Sequence, residues 1–131
     1  MIPEQARFQW GENDSDFAES SHMSRTLADL TALAAQVSDM YERETGVRRD
    51  DDWYALKMQE ELGELVAEHL RLSGRGRRKN FTDAEIVEAR DNEAADLLAF
   101  LLLYARHNGI DLEAALDRKW FSYLRSDKES G

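Results

Sequence analysis

Glu93-Ala94-Ala95-Asp96-Leu97-Leu98-Ala99-Phe100-Leu101-Leu102-Leu103-Tyr104-Ala105 is the stretch on which the reading of the fold turns. From Ala94 to Ala105 its only charged residue is Asp96. The run is too short for a membrane span, which needs about 18 apolar residues, and longer than a buried strand of roughly 4–8. It reads as part of a long helix that opens at Thr82-Asp83-Ala84-Glu85, which has the form of a capping box, and stops at Asn108-Gly109. A helix that is apolar all round must be covered on every side. Three neighbouring helices in a small protomer leave part of it bare, so self-association through this helix is expected, as a homodimer or homotetramer. The alternative is a central helix wrapped entirely within the monomer.

The segments on either side are helical too. Ser24 can cap a helix whose apolar positions Leu27, Leu30, Leu33, Ala34, Val37 and Tyr41 follow three- and four-residue steps up to Gly46. A second helix begins at Asp51 or Asp52 and carries Trp53, Leu56, Leu62, Leu65, Val66 and Leu70 as far as Ser73-Gly74. Asp111 caps a last helix from Leu112 to about Leu124. No stretch alternates with period two long enough to make a strand. Four helices with short connections predict an all-α four-helix bundle.

Residues 1–23 are of another character and are read as an N-terminal extension, with the helical domain occupying 24–131. The turn-rich run from Gly11 to Asp16 breaks any helical period linking Phe8, Trp10 and Phe17. Ser21-His22-Met23 has the form of a cloning junction followed by a start methionine, and a native flexible or docking tail is the other reading.

The 131 residues fit one domain, and 42% hydrophobic content is that of a globular chain. With no cysteine, a disulfide scaffold, a thiolate zinc site and a cysteine nucleophile are excluded. A net charge of −10 disfavours nucleic-acid polymers and anionic membranes as partners. The expected class is a soluble cytoplasmic domain.

Chemistry concentrates in two acidic clusters. In Glu60-Glu61-Leu62-Gly63-Glu64 the three carboxylates are spaced to project from one side of a helix, and Glu93 and Asp96 form another one-turn pair. Most helical glutamate pairs are simply a solvated face, which suits Glu42, Glu44, Glu85 and Glu88. That reading is weaker here, because Leu62, Leu65 and Val66 surround Glu64 and the apolar run surrounds Asp96. Internal pairing with Lys57, Arg90 or Arg106 is a second alternative, though one lysine cannot neutralise five acids. Two helices that face one another with such pairs make an all-oxygen cage suited to Mg²⁺ or Mn²⁺. No His-x-x-x-His or Glu-x-x-His pair is present, which disfavours zinc and histidine-containing di-iron sites.

The runs Leu56 to Leu65, Glu93 to Leu98 and Gly109 to Leu116 together resemble the MazG-like all-α nucleoside triphosphate pyrophosphohydrolases. That superfamily includes dimeric dUTPases and phosphoribosyl-ATP pyrophosphohydrolases, and its signature is E-E-x-x-E followed by E-x-x-D on two antiparallel helices. The resemblance covers about residues 24–124. It implies Mg²⁺-dependent cleavage of a (deoxy)nucleoside triphosphate to the monophosphate and pyrophosphate, as nucleotide-pool house-cleaning, with Mn²⁺ able to substitute. By position, Glu61, Glu64, Glu93 and Asp96 match the metal ligands. Glu60 matches the first glutamate, which binds a further metal or helps to activate water. A phosphoribosyl-ATP hydrolase and a non-catalytic helical interaction module are the competing expectations.

Five cations, Arg71, Arg75, Arg77, Arg78 and Lys79, mark a basic loop. It reads either as a flap with one or two arginines such as Arg75 and Arg78 on substrate phosphate, or as a solvated loop with Arg71 at a helix C-terminus. The resemblance also implies phosphate contacts near the end of the last helix, at Lys119 and Arg125, whose other reading is dipole complementarity. Trp53 is either a base-stacking residue or part of the core. His69 and His107 receive no catalytic task. The loop lacks the interleaved aromatics of a single-strand nucleic-acid site.

Overall fold

A computed structural model describes residues 24–129, and within them every regular element is helical. The elements are α1 (Leu27–Thr45), α2 (Asp51–Leu72), α3 (Asp83–His107), α4 (Leu112–Leu116), a π-helical turn (Asp117–Phe121) and α5 (Ser122–Glu129). The last three run on as one C-terminal helix, so the chain has four helices, as the periodicity predicts. The N-terminal extension, with Phe8, Trp10, Phe17 and the junction-like Ser21-His22-Met23, lies outside the described residues.

The caps explain where each helix starts. α1 is capped by Thr26 and not by Ser24, because only Thr26 has an acid three residues on to answer it. Thr26 Oγ1 accepts from the Asp29 backbone N–H at 3.1 Å, and Asp29 accepts from the Thr26 N–H at 2.9 Å. α2 is capped one residue earlier than expected, by Asp50, whose carboxylate accepts from the Trp53 N–H at 2.8 Å. Asp51 and Asp52 then fall in the first turn, where negative charge meets the positive end of the helix dipole. The capping box at Thr82 and Glu85 and the cap at Asp111 are those predicted. α1 ends on Gly46 at φ 67°, a left-handed conformation that costs other residues about 1 kcal/mol or more.

α2 and α3 form an antiparallel hairpin, the most extensive packing in the molecule, and α1 lies across α3. Ala35, Tyr54 and Leu103 are the buried centre, with Ala34, Trp53, Phe100 and Tyr104 packed around them. Trp53 meets Tyr54 and Phe100 edge-on, at centroid distances of 5.1 and 5.7 Å. Ile86, Leu102 and Ala105 extend the burial along α3. At one end of the hairpin His107 Nε2 lies 2.8 Å from Asp51 Oδ1, joining the last turn of α3 to the first turn of α2.

The long apolar helix is thus mostly covered within the protomer, yet Leu98 and Leu101 remain 44% and 39% exposed. No helix among the described residues is long and apolar enough to cross a membrane.

Candidate metal centre

The hairpin brings the two acidic clusters together. Position 61 shares the inward face of α2 with Tyr54, seven residues or about two turns earlier, and both are buried. Glu61 is fully buried, an expensive place for a carboxylate with no counter-charge. Glu64 follows one turn later, and Glu93 faces both from α3. One carboxylate oxygen from each of Glu61, Glu64 and Glu93 lies within 4.8 Å of the other two.

Three acids this close cannot all ionise cheaply. Burial, the adjoining carboxyls of Glu64 and Glu61, and their charges push Glu93 up to about 8. Asp96, one turn further along α3, is also raised, first by burial and then by the charges of Glu61 and Glu64. These four side chains therefore form one electrostatic unit that holds excess protons when no cation is present.

Glu60 behaves differently. Its side chain is 45% exposed and pairs with Lys57 at 3.1 Å, which holds its carboxyl below the ordinary range. Adjacent glutamates thus have opposite environments: Glu61 is buried and Glu60 stands at the rim, ionised.

The donor set fits a hard divalent cation. All four inward groups are carboxylates, the ligands Mg²⁺ and Mn²⁺ prefer. Oxygens on opposite sides of an octahedral Mg²⁺ lie about 4.2 Å apart, within the spread observed here. Glu93 Oε2 is buried with no hydrogen-bond donor, the condition in which a carboxylate oxygen gains most from a cation.

The remaining predicted residues lie elsewhere. Trp53 packs in the α1–α2–α3 core, and Arg49 and Lys57 stand over its ring at 4.9 and 5.7 Å. A stacked base would have to displace one of these cations. Arg78 gives its guanidinium to the loop itself: Nε donates to Arg71 O at 3.1 Å, Nη2 to Leu72 O at 3.4 Å, and Nη1 to Asp83. Arg71 answers by donating to Arg77 O and Arg78 O at 3.1 and 3.2 Å, while its Nη1 pairs with Glu68 and its guanidinium covers Phe81. The loop is a knot of two arginines that satisfies carbonyls at the end of α2. Arg75, Arg77 and Lys79 are left exposed on it. Lys119 is exposed on the C-terminal helix, and Arg125 pairs with Asp117 at 2.7 Å.

Sequence reasoning missed Arg49. It donates to the buried Ser38 hydroxyl and lies over both Tyr41 and Trp53, tying the α1–α2 connection to both helices. Its only sequence signal was a cation four residues before a tryptophan.

No family model matches the chain, and no curated protein or solved structure is significantly similar to it.

Proposed function

We propose that the protein is a Mg²⁺-dependent (deoxy)nucleoside triphosphate pyrophosphohydrolase of the MazG-like kind, acting in nucleotide-pool house-cleaning. The observation that carries this reading is the convergence of Glu61, Glu64 and Glu93, from two antiparallel helices, on one small volume beside Asp96. Such a cage concentrates negative charge in the protein's interior, which serves no packing purpose and calls for a cation.

The residues divide the work by their environments. Glu61, Glu64, Glu93 and Asp96 would hold Mg²⁺ or, in its place, Mn²⁺. When bound, the cation supplies the positive charge that lets an acidic site accept a triphosphate bearing about four negative charges, and it acidifies water at the site. Glu60, ionised at the rim, is the carboxylate suited to take a proton from the attacking water. Lys57 fixes Glu60 in that orientation through their ion pair. The water oxygen bonds to the α-phosphorus, the bond from that phosphorus to the oxygen bridging to the β-phosphate breaks, and pyrophosphate leaves with the electron pair. Arg75 and Lys119 remain available as phosphate-binding cations, being exposed and in no ion pair among the described residues.

The test is a panel of ordinary and modified nucleoside triphosphates, including phosphoribosyl-ATP, incubated with the protein and Mg²⁺. Release of pyrophosphate, not orthophosphate, from at least one of them is the expected result. Silence across the panel rejects the reading.

A further inference from the structure

Two apolar surfaces of the protomer have nothing against them. The first is the C-terminal helix, which makes only marginal contact with α1, α2 and α3. Leu116, Trp120, Phe121, Tyr123 and Leu124 on it are between 40% and 70% exposed. The π-helical turn absorbs one extra residue, which keeps Leu116 and Phe121 in line across it. A helix this short and this exposed is marginal in water on its own, so its order calls for a cover. The second surface is the outward side of α2. Leu56, Leu62 and Val66 are 66%, 48% and 46% exposed there, and a Cβ on Gly63 between them would meet nothing within 4 Å.

We propose that the C-terminal helix of one copy lies on the outward side of α2 in a second copy, reciprocally, closing a two-fold dimer. Three observations select a second copy as the occupant. The eight side chains together leave on the order of 900 Å² in water, close to the roughly 800 Å² that each partner of a stable complex buries. The charges are complementary: Arg118 and Lys119 flank the apolar side of the C-terminal helix and pair with no acid among the described residues, whereas α2 carries Asp51, Asp52, Glu60, Glu61, Glu64 and Glu68. Finally, a chain of net charge −10 repels its own copy except where an uncharged or basic surface is presented. Gly109, at φ 65°, and Ile110 form the short connection about which the C-terminal helix leaves the hairpin. The contact expected from sequence at the apolar stretch of α3 moves, on this account, to α2 and the C-terminal helix. The proposal is independent of the metal reading.

Sedimentation velocity of the full chain between about 1 and 100 μM reads the association directly. A dimer is expected, weakened at least about tenfold by Trp120→Glu with Leu124→Glu and, separately, by Leu62→Glu with Val66→Glu. All four positions are exposed, so the protomer fold tolerates them, which circular dichroism verifies. Because the chain lacks cysteine, a second measurement is clean. Val66→Cys protein mixed with Trp120→Cys protein should give an intermolecular disulfide between the two variants under mild oxidation. A monomer at the top of the range overturns the proposal and leaves residues 1–23 or another protein as the cover. A dimer indifferent to the C-terminal pair, or one that forms no mixed disulfide, overturns it as well.

Discussion

Glu93 of α3 lies against the fully buried Glu61 of α2, and each makes the other costly to ionise. The hairpin therefore spends stability to keep these groups together. A fold selected for stability alone would place an apolar pair here.

That cost can be relieved. Glu93→Gln removes one of the mutually repelling carboxyls while keeping its shape. The metal-free variant should melt about 2–5 °C higher than the parent, the shift that ~1 kcal/mol produces in a domain of this size. Differential scanning calorimetry in the presence of a chelator measures it, and a lower melting temperature would contradict the electrostatic account.

Stability should also depend on pH in a definite direction. Above its ordinary pKa of 4.5 Glu93 loses its proton in the unfolded chain, whereas the folded protein keeps it up to about 8. Between those values folding takes up a proton, so stability falls as pH rises and levels off above about 8. Asp96, raised in the same direction, adds to the slope. Denaturant titrations at acidic, neutral and mildly alkaline pH without metal check this. Since Mg²⁺ must displace the same protons, its apparent affinity should rise over that pH range.

Arg71 is the keystone of the connection between α2 and α3. It pairs with Glu68, donates to two loop carbonyls and covers Phe81. Arg71→Ala should cost about 1–3 kcal/mol, and Arg71→Lys should recover little, because an ammonium lacks the planar fork that reaches all these partners at once. Equilibrium unfolding of both variants distinguishes this from a solvated loop, in which neither would matter.

Arg49→Ala should destabilise the protein by a similar amount without changing Mg²⁺ binding. It removes the guanidinium over Tyr41 and Trp53 and strips the buried Ser38 hydroxyl of its partner. Unfolding and metal titration on the same sample separate the two effects.

Much of this was legible in the sequence, for reasons that differ by element. The one-turn spacing of Glu61 with Glu64 and of Glu93 with Asp96 fixes each pair on a helix face, and the apolar surroundings show which acids lie inside. The split between Glu60 and Glu61 was not legible. Two neighbours on a helix differ by about 100° of rotation, and the packing of Tyr54 and Leu103 decides which one turns inward. The arginine knot was hidden because most of its acceptors are backbone carbonyls, which no residue type announces. The caps at Thr26 and Asp50 were displaced by a residue or two in the reading because several acceptors compete at each start. The C-terminal helix was recognised as a helix, but its periodicity could not reveal that its apolar side finds no partner within the protomer.

The most direct test of the metal centre is a Mg²⁺ titration followed by melting temperature, on the parent chain and on Glu64→Gln with Asp96→Asn. The account predicts that Mg²⁺ at about 100 times its dissociation constant stabilises the parent by roughly 2.7 kcal/mol. The double variant should be more stable than the parent without metal and indifferent to Mg²⁺. Equal stabilisation of both proteins, or of neither, would contradict it.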